Sequence, residues 1–465
     1  MRDDSSFGSS TGGGRSRFDK PAKTGREVSA RVLQRVLTEG AWAAPALDAE
    51  LRRASLSTGE TGRATDLVYG TLRRYPALNA AIDAWRPRKD PLEPFTHAAL
   101  LSATYELLHT DEKAWAILDE TVGLISYARA PGLGRFANAV LRKISAKRPA
   151  QPMPVTSLAF PSWIQSLIAT DLGSERAAIF GGDRPMPPPV SLRVRGNREI
   201  LAEQIRAARP TAEVTLGTAS TASISVRGAG DPRNLPGFSE GRFVVQDEGS
   251  LLVAEAVNAQ PGERVLDACA GRGGKTLVLL DQVGPKGEVT AIDDHAEKLL
   301  RMDDELRRLN HTRPAGFPSG KERVERFVVD LTVGLGPLEG TFDRVLVDAP
   351  CTGLGTVHRR PEIMLRAEPS DPMRMHHVQV RITETVLPLV REGGILIYAV
   401  CSPTRAEGID VITSILSRHP DFELLHEPSG NVPCDADGML RIGPWLSPGL
   451  SCDAFQVARL RRRTK

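Results

Sequence analysis

The chain has 465 residues, with 60 Lys and Arg against 57 Asp and Glu, a net charge of +3. A composition of 41% hydrophobic and 25% charged residues excludes a fibrous or disordered protein, and the length implies about three domains. So mild a charge excludes recognition of a polyanion by bulk charge, but not by a local basic patch. Five cysteines, odd in number and without a C-x-x-C pair, exclude a disulfide framework and a structural zinc site, so no metal is expected. No N-terminal apolar h-region and no run of roughly 18 apolar residues occurs, so a soluble, cytoplasmic protein is expected.

In chain order, residues 1–25 are Gly/Ser-rich and predict a flexible tail carrying Arg15, Arg17 and Lys20. Residues 26–148 predict an all-α domain. Val28, Val32, Leu33, Val36 and Leu37 share one helix face, as do Phe136, Ala137, Val140, Leu141 and Ile144. A Pro-rich linker follows over 149–160, where Pro149, Pro152 and Pro154 cannot continue a helix. Residues 161–245 predict a small α+β module. Its helix at Trp163 to Thr170 precedes a strand (Val190 to Val194), a helix (Glu199 to Ala208) and strands near Val214 and Ile224. Arg193, Arg195, Arg198 and Arg206 lie nearby and by themselves predict an ordinary solvated surface. From 246 to 465, short Val/Ile/Leu-rich strands alternate with helices, which predicts a doubly wound, mostly parallel α/β sheet. Ligands of such sheets sit at the carboxyl ends of the strands.

The first of these strands, RVLDA, runs into Cys269-Ala270-Gly271-Arg272-Gly273-Gly274-Lys275-Thr276. Glycines there let a ligand approach the backbone where a Cβ would collide. A Walker A loop needs Gly where Cys269 stands, and a dinucleotide fingerprint needs Gly where Thr276 stands. Both readings fail on spacing. An S-adenosylmethionine loop remains, with Asp293 at the second strand end to accept from the ribose hydroxyls and Asp330 at the third to meet the adenine amino group. A lone strand-terminal Asp is often a helix cap; three suitable strand ends in succession favour the cofactor.

The fourth strand ends in Asp348-Ala349-Pro350-Cys351 and the fifth in Val400-Cys401-Ser402-Pro403. Free cysteine is usually a small buried hydrophobe. Two thiols at the ends of neighbouring strands beside a methyl donor point instead to chemistry. Carbon 5 of cytosine is a poor nucleophile until a thiolate adds at carbon 6, and that is covalent catalysis. Asp348 suits proton sharing at N3 of the base. A methyltransferase acting on an amino group would carry an aromatic residue where Cys351 stands.

The motifs LDACAGRGGKT, DAPCTGLG, RRPEI and GGILIYAVCS resemble, in order and spacing, the RNA cytosine-5 methyltransferases of the Nol1/Nop2/Sun family. Val245-Gln246-Asp247-Glu248 is similar to the start of that family's catalytic domain. LVYGTLRR and RFANAVLRKI resemble the NusB-like RNA-binding domain of its Fmu/Sun branch. The resemblance implies a multidomain protein with an all-α NusB-like domain, a small α+β module and a Rossmann-like class I methyltransferase domain. It implies S-adenosyl-L-methionine bound by Cys269, Ala270, Gly271, Arg272, Gly273, Gly274, Lys275, Asp293, Asp330 and Asp348. It further implies Cys401 as nucleophile, Cys351 as the cysteine that aids product release, and small-subunit ribosomal RNA as partner, with Arg359 and Arg360 toward RNA. A monomer without membrane contact is expected. Arg272 departs from the family's usual Pro, Val400 from its Thr, and His358 from the first of two arginines. Two alternatives stay open from sequence: a base-nitrogen methyltransferase, and an inactive RNA-binding assembly factor.

Overall fold

The computed structural model describes residues 20–86, 90–153, 160–182, 187–309 and 324–464. Residues 1–155 and 156–465 form two compact units. The Arg15 and Arg17 part of the expected tail, and Pro154 of the linker, lie outside the described residues. Residues 20–24 are ordered rather than tail-like. Arg31 donates to the Lys20 carbonyl (2.9 Å), Ala22 is buried, and Thr24 caps the first helix by accepting from the Glu27 N–H.

The first unit is helical. Its elements are α1 (Gly25–Thr38), α2 (Ala43–Arg53), α3 (Thr58–Asp83), α4 (Pro94–His109), α5 (Ala114–Ala128) and α6 (Pro131–Ser145). The predicted apolar faces form its core: Val28, Val32, Leu33 and Val36 are buried, as are Ala137, Val140, Leu141 and Ile144. Gly70 of α3 lies against the Tyr105 ring of α4, where a Cβ would stand 2.1 Å from a ring carbon. Among the described residues of this unit, Arg26–Glu106 is the most deeply buried ion pair. Arg26 donates to both oxygens of Glu106 (2.7 and 2.8 Å), and both side chains are almost wholly buried.

The second unit opens with the helices α7 (Ser162–Leu172) and α8 (Ser174–Gly181). A four-stranded sheet follows: β1 (Val190–Val194), α9 (Arg198–Ala208), β2 (Glu213–Leu216), β3 (Ser223–Arg227) and β4 (Phe243–Val245). Its strands are antiparallel in the order β2-β3-β1-β4, and Leu192, Leu201, Ile205, Ile224 and Phe243 fill its core. The expected single module over 161–245 is divided in the structure. Ile164, Ile168, Leu172 and Phe180 of the helix pair pack on Leu354, Val357, Ile363, Met364 and Ala454, not on this sheet.

The larger sheet is built from α10 (Glu248–Val257), β5 (Arg264–Asp267), α11 (Gly274–Val283), β6 (Glu288–Asp293), α12 (Ala296–Arg308), β7 (Val324–Val328) and β8 (Phe342–Asp348). It continues through α13 (Asp371–Val386), β9 (Val390–Val400), α14 (Ile409–Arg418), β10 (Phe422–Leu424), β11 (Leu440–Ile442) and β12 (Phe455–Arg462). The order is β10-β12-β9-β8-β5-β6-β7, with β11 paired to β12. The five strands from β5 to β9 run parallel, while β12 lies antiparallel to β9 and to β10. From β5 the chain winds one way through β6 to β7, and then the other way through β8 to β9. The crevice at this reversal is where a doubly wound sheet takes its ligand.

Candidate active site

The glycine loop leaves β5 and folds back as a tight turn. The Ala270 N–H donates to the Ile292 carbonyl (2.7 Å) and the Gly273 N–H to the Ala270 carbonyl (2.9 Å). Gly271 and Gly273 take φ values of +58° and +84°, and the turn closes with Arg272 between them. A Cβ on Gly273 would strike the Met302 side chain, whereas that of Gly271 would face open space. Asp293, at the end of β6, is buried and holds this loop. Its carboxylate accepts from the N–H groups of Gly271 (2.9 Å) and His295 (3.0 Å) and from Lys298 Nζ (3.0 Å). Asp330 lies beyond the end of β7, exposed, accepting from the Thr332 N–H and hydroxyl. Backbone turn, open face and strand-end carboxylates fit an adenosyl sulfonium cofactor. Burial, with the nearby Asp348 charge, pushes the Cys269 thiol well above its usual range, so it stays a neutral wall.

Lys275, in the first turn of α11, meets Asp348 at the end of β8. Its ammonium lies 2.5 Å from Asp348 Oδ2 and over the Phe455 ring, 5.5 Å from the centroid. Burial would lower the lysine, but the Asp348 carboxylate outweighs it and raises the group above its ordinary value. The pair therefore fixes a carboxylate at the edge of the crevice.

The two predicted thiols meet. Cys351 and Cys401 follow neighbouring parallel strands, both are half-buried, and their Sγ atoms are 3.1 Å apart. The hydrogen bond to Cys401, with burial second, holds the Cys351 thiol well above its ordinary range. Beneath them lies the fully buried Glu407. Its carboxylate accepts from the Thr352 N–H (2.8 Å) and hydroxyl (2.6 Å), and from the hydroxyls of Ser402 (2.5 Å) and Thr404 (3.0 Å). Gln379 Nε2 donates to the Pro350 carbonyl (2.9 Å) and to Glu407 (3.2 Å). One carboxylate thus ties the loop after Cys351 to the loop after Cys401. The Gly355 N–H adds a bond to the Cys401 carbonyl (3.0 Å), and a Cβ on Gly355 would collide with the Ala454 carbonyl. Nothing in the sequence pattern marks Glu407 or Gln379, because a lone acid in a loop and a Gln inside a helix carry no spacing signal.

Several basic residues serve the fold instead of facing outward. Arg359 donates to Asp247 (2.8 Å) and to the carbonyls of Pro189 (2.8 Å) and Ser451 (3.1 Å), so the expected RNA contact is a strut in this structure. Its neighbour Arg360 is exposed. His358 is buried, donating from Nε2 to the Phe180 carbonyl (2.8 Å). Arg193 pairs with Asp281 of α11 (2.7 Å), and Arg195, Arg198 and Arg206 donate to backbone carbonyls. An arginine near a small sheet has many carbonyls within reach of its five donors, and composition does not separate that use from phosphate binding.

Comparison with known proteins agrees with this architecture. Residues 254–461 match the family model described as 16S rRNA methyltransferase RsmB/F, and residues 23–146 match the NusB family. The chain is 29% identical to the probable ribosomal RNA small subunit methyltransferase B of Bacillus subtilis, covering 94% of this chain and 98% of that protein. It is 32% identical to the ribosomal RNA small subunit methyltransferase B of Pseudomonas putida, over 85% of this chain and 89% of that one. The solved structure of PH0851 shares the fold with a TM-score of 0.77 at 24% identity, covering 95% of this chain and all of its own. With a NusB-like helical unit, a Rossmann-like sheet and relatives of this identity and coverage, the chain belongs to the RsmB/F family of 16S rRNA methyltransferases.

Proposed function

We propose that this protein transfers a methyl group from S-adenosylmethionine to carbon 5 of a cytosine in small-subunit ribosomal RNA, through a covalent adduct with Cys401. The observation that carries the reading is the pair of thiols 3.1 Å apart at neighbouring strand ends, beside the Lys275–Asp348 pair. A base-nitrogen methyltransferase has no use for two such sulfurs.

Each group has a distinct task. Cys401, as thiolate, adds to carbon 6 of the base, and the ring electrons move toward carbon 5. Asp348 shares a proton with N3, which spreads the charge that addition creates; Lys275 holds that carboxylate in place. The bound cofactor supplies an electrophilic methyl group. Once carbon 5 is methylated, its proton must leave and the bond from Cys401 to carbon 6 must break. Cys351, with its sulfur 3.1 Å from that of Cys401, promotes this step. The target base must leave its stack to meet both sulfur and methyl donor, which is easiest in single-stranded or loop RNA. The NusB-like unit and exposed cations such as Arg360 serve the RNA backbone, so affinity should fall with salt. Bisulfite sequencing of ribosomal RNA from cells with and without the gene tests the reading. One protected cytosine that disappears with the gene is expected; an unchanged pattern refutes it.

A further inference from the structure

Gln246 joins β4 to α10 within Val245-Gln246-Asp247-Glu248. Its backbone N–H donates to the Ser191 carbonyl (3.1 Å), which fixes the residue. Its side chain is different. Neither Oε1 nor Nε2 has a hydrogen-bond partner among the described residues, although the residue is only 7% exposed. Buried amides almost always make their bonds, and one that makes none asks for an explanation such as a missing ligand.

The surroundings name the ligand's chemistry. Gln246 Nε2 lies 4.0 Å from where a Cβ on Gly274 would stand, so the amide faces the first residue of α11. That helix has ten residues, and Gly273 caps it without any side-chain hydrogen bond. Its free N–H groups and dipole favour a negative group there. Lys275, next along, is already paired with Asp348 and is not the counter-charge. Asp293 ends β6 and Asp330 follows β7, the strand ends expected to meet the adenosine. The α10 segment packs instead on α11, β12, β1, β11 and β9. The end of the cofactor that remains is its amino acid.

We infer that Gln246 binds the amino-acid end of S-adenosylmethionine, with Nε2 donating to the carboxylate and Oε1 accepting from the ammonium. An amide offers one donor and one acceptor end, which match the two charges of a zwitterion. Neither a bare anion nor a bare cation would satisfy both. The assignment rests on the cofactor, not on the target base or on cytosine chemistry.

The test uses the purified full-length protein and calorimetric titration with two ligands. One is S-adenosylmethionine; the other is 5′-methylthioadenosine, which keeps the adenosyl thioether but lacks the amino acid. Gln246→Leu should weaken S-adenosylmethionine about tenfold to a hundredfold, the loss of charge-assisted hydrogen bonds. Binding of 5′-methylthioadenosine should stay within about twofold, measured on the same preparation. Equal loss for both ligands, or no loss for either, overturns the inference. So does an effect confined to the KM for RNA, which would place Gln246 against the substrate. Wild-type protein that fails to bind S-adenosylmethionine removes the cofactor assignment itself, a result distinct from a silent variant. Should Gln246→Leu not fold, the equally sized Gln246→Glu replaces it. Its carboxylate should weaken S-adenosylmethionine far more than 5′-methylthioadenosine, and equal effects refute the proposal.

Discussion

Cys351 Sγ and Cys401 Sγ lie 3.1 Å apart, each just beyond the end of one of two adjacent parallel strands. In the proposed reaction, that spacing lets one sulfur bond to the base while the other reaches the same ring. Cys401→Ala should lower methyl transfer by on the order of 10³-fold or more, while S-adenosylmethionine binding stays near the wild-type level. Substantial turnover in that variant would exclude Cys401 as nucleophile. Cys351→Ala should instead let a protein–RNA adduct build up, seen as a slow band on a denaturing gel. Normal turnover without any adduct would remove its release role.

Glu407 should control the geometry of both sulfurs without touching a reactant. In Glu407→Ala the Thr352 N–H and the Ser402 and Thr404 hydroxyls lose their shared acceptor. A loss of roughly 3 kcal/mol in urea unfolding is expected, with a fall in kcat larger than any change in cofactor affinity. Glu407→Gln keeps the shape and one acceptor oxygen and should recover part of both. If turnover survives in the alanine variant, the thiols are positioned by something else.

The sealed Arg26–Glu106 pair makes an asymmetric prediction about stability. Glu106→Ala leaves the buried Arg26 with only the half-exposed Glu120 and the more distant Glu112, so it should destabilise the helical unit by about 3 kcal/mol, the low end for a broken buried pair. Replacing both with apolar residues, Arg26→Met with Glu106→Leu, should restore most of it. Thermal melts of the three variants check this; a double variant no better than the single one would contradict it.

Asp267, at the end of β5, is fully buried, and burial pushes its carboxyl from 3.8 up to about 7, against a hydrogen bond from Thr276. Between about pH 4 and 7 the folded chain therefore holds a proton that the unfolded chain has released. Stability from this group is complete below the unfolded value and is lost as pH rises toward 7, by up to about 1.4 kcal/mol per pH unit. Asp267→Asn cannot titrate. Its stability should fall less steeply between pH 5 and 7 than that of the wild type, in urea titrations at each pH. Parallel curves would mean that Asp267 is ionised in the fold.

Much of the site is legible in the sequence because strand ends announce themselves. The apolar runs before Asp267, Asp293, Asp348 and Cys401 each stop at a polar or nucleophilic residue, and parallel topology brings such ends together. The antiparallel β12 is not legible in the same way. Arg459 and Arg461 interrupt its apolar run, and its place between β9 and β10 depends on pairing with segments far away in the chain. Arg359 shows a different limit. Its charge suits a phosphate as well as it suits Asp247, and the fold decides between them.

The helix pair α7 and α8 has a practical consequence. Ile164, Ile168 and Phe180 cover Leu354, Val357, Ile363 and Met364, the stretch just downstream of Cys351. A shortened protein that begins at α10 would keep every strand of the large sheet and every residue of the cofactor loop. It would also bare a greasy patch just downstream of Cys351, and would be expected to clump or to lose its catalytic shape. Any trimmed version intended for activity has to start ahead of Phe160.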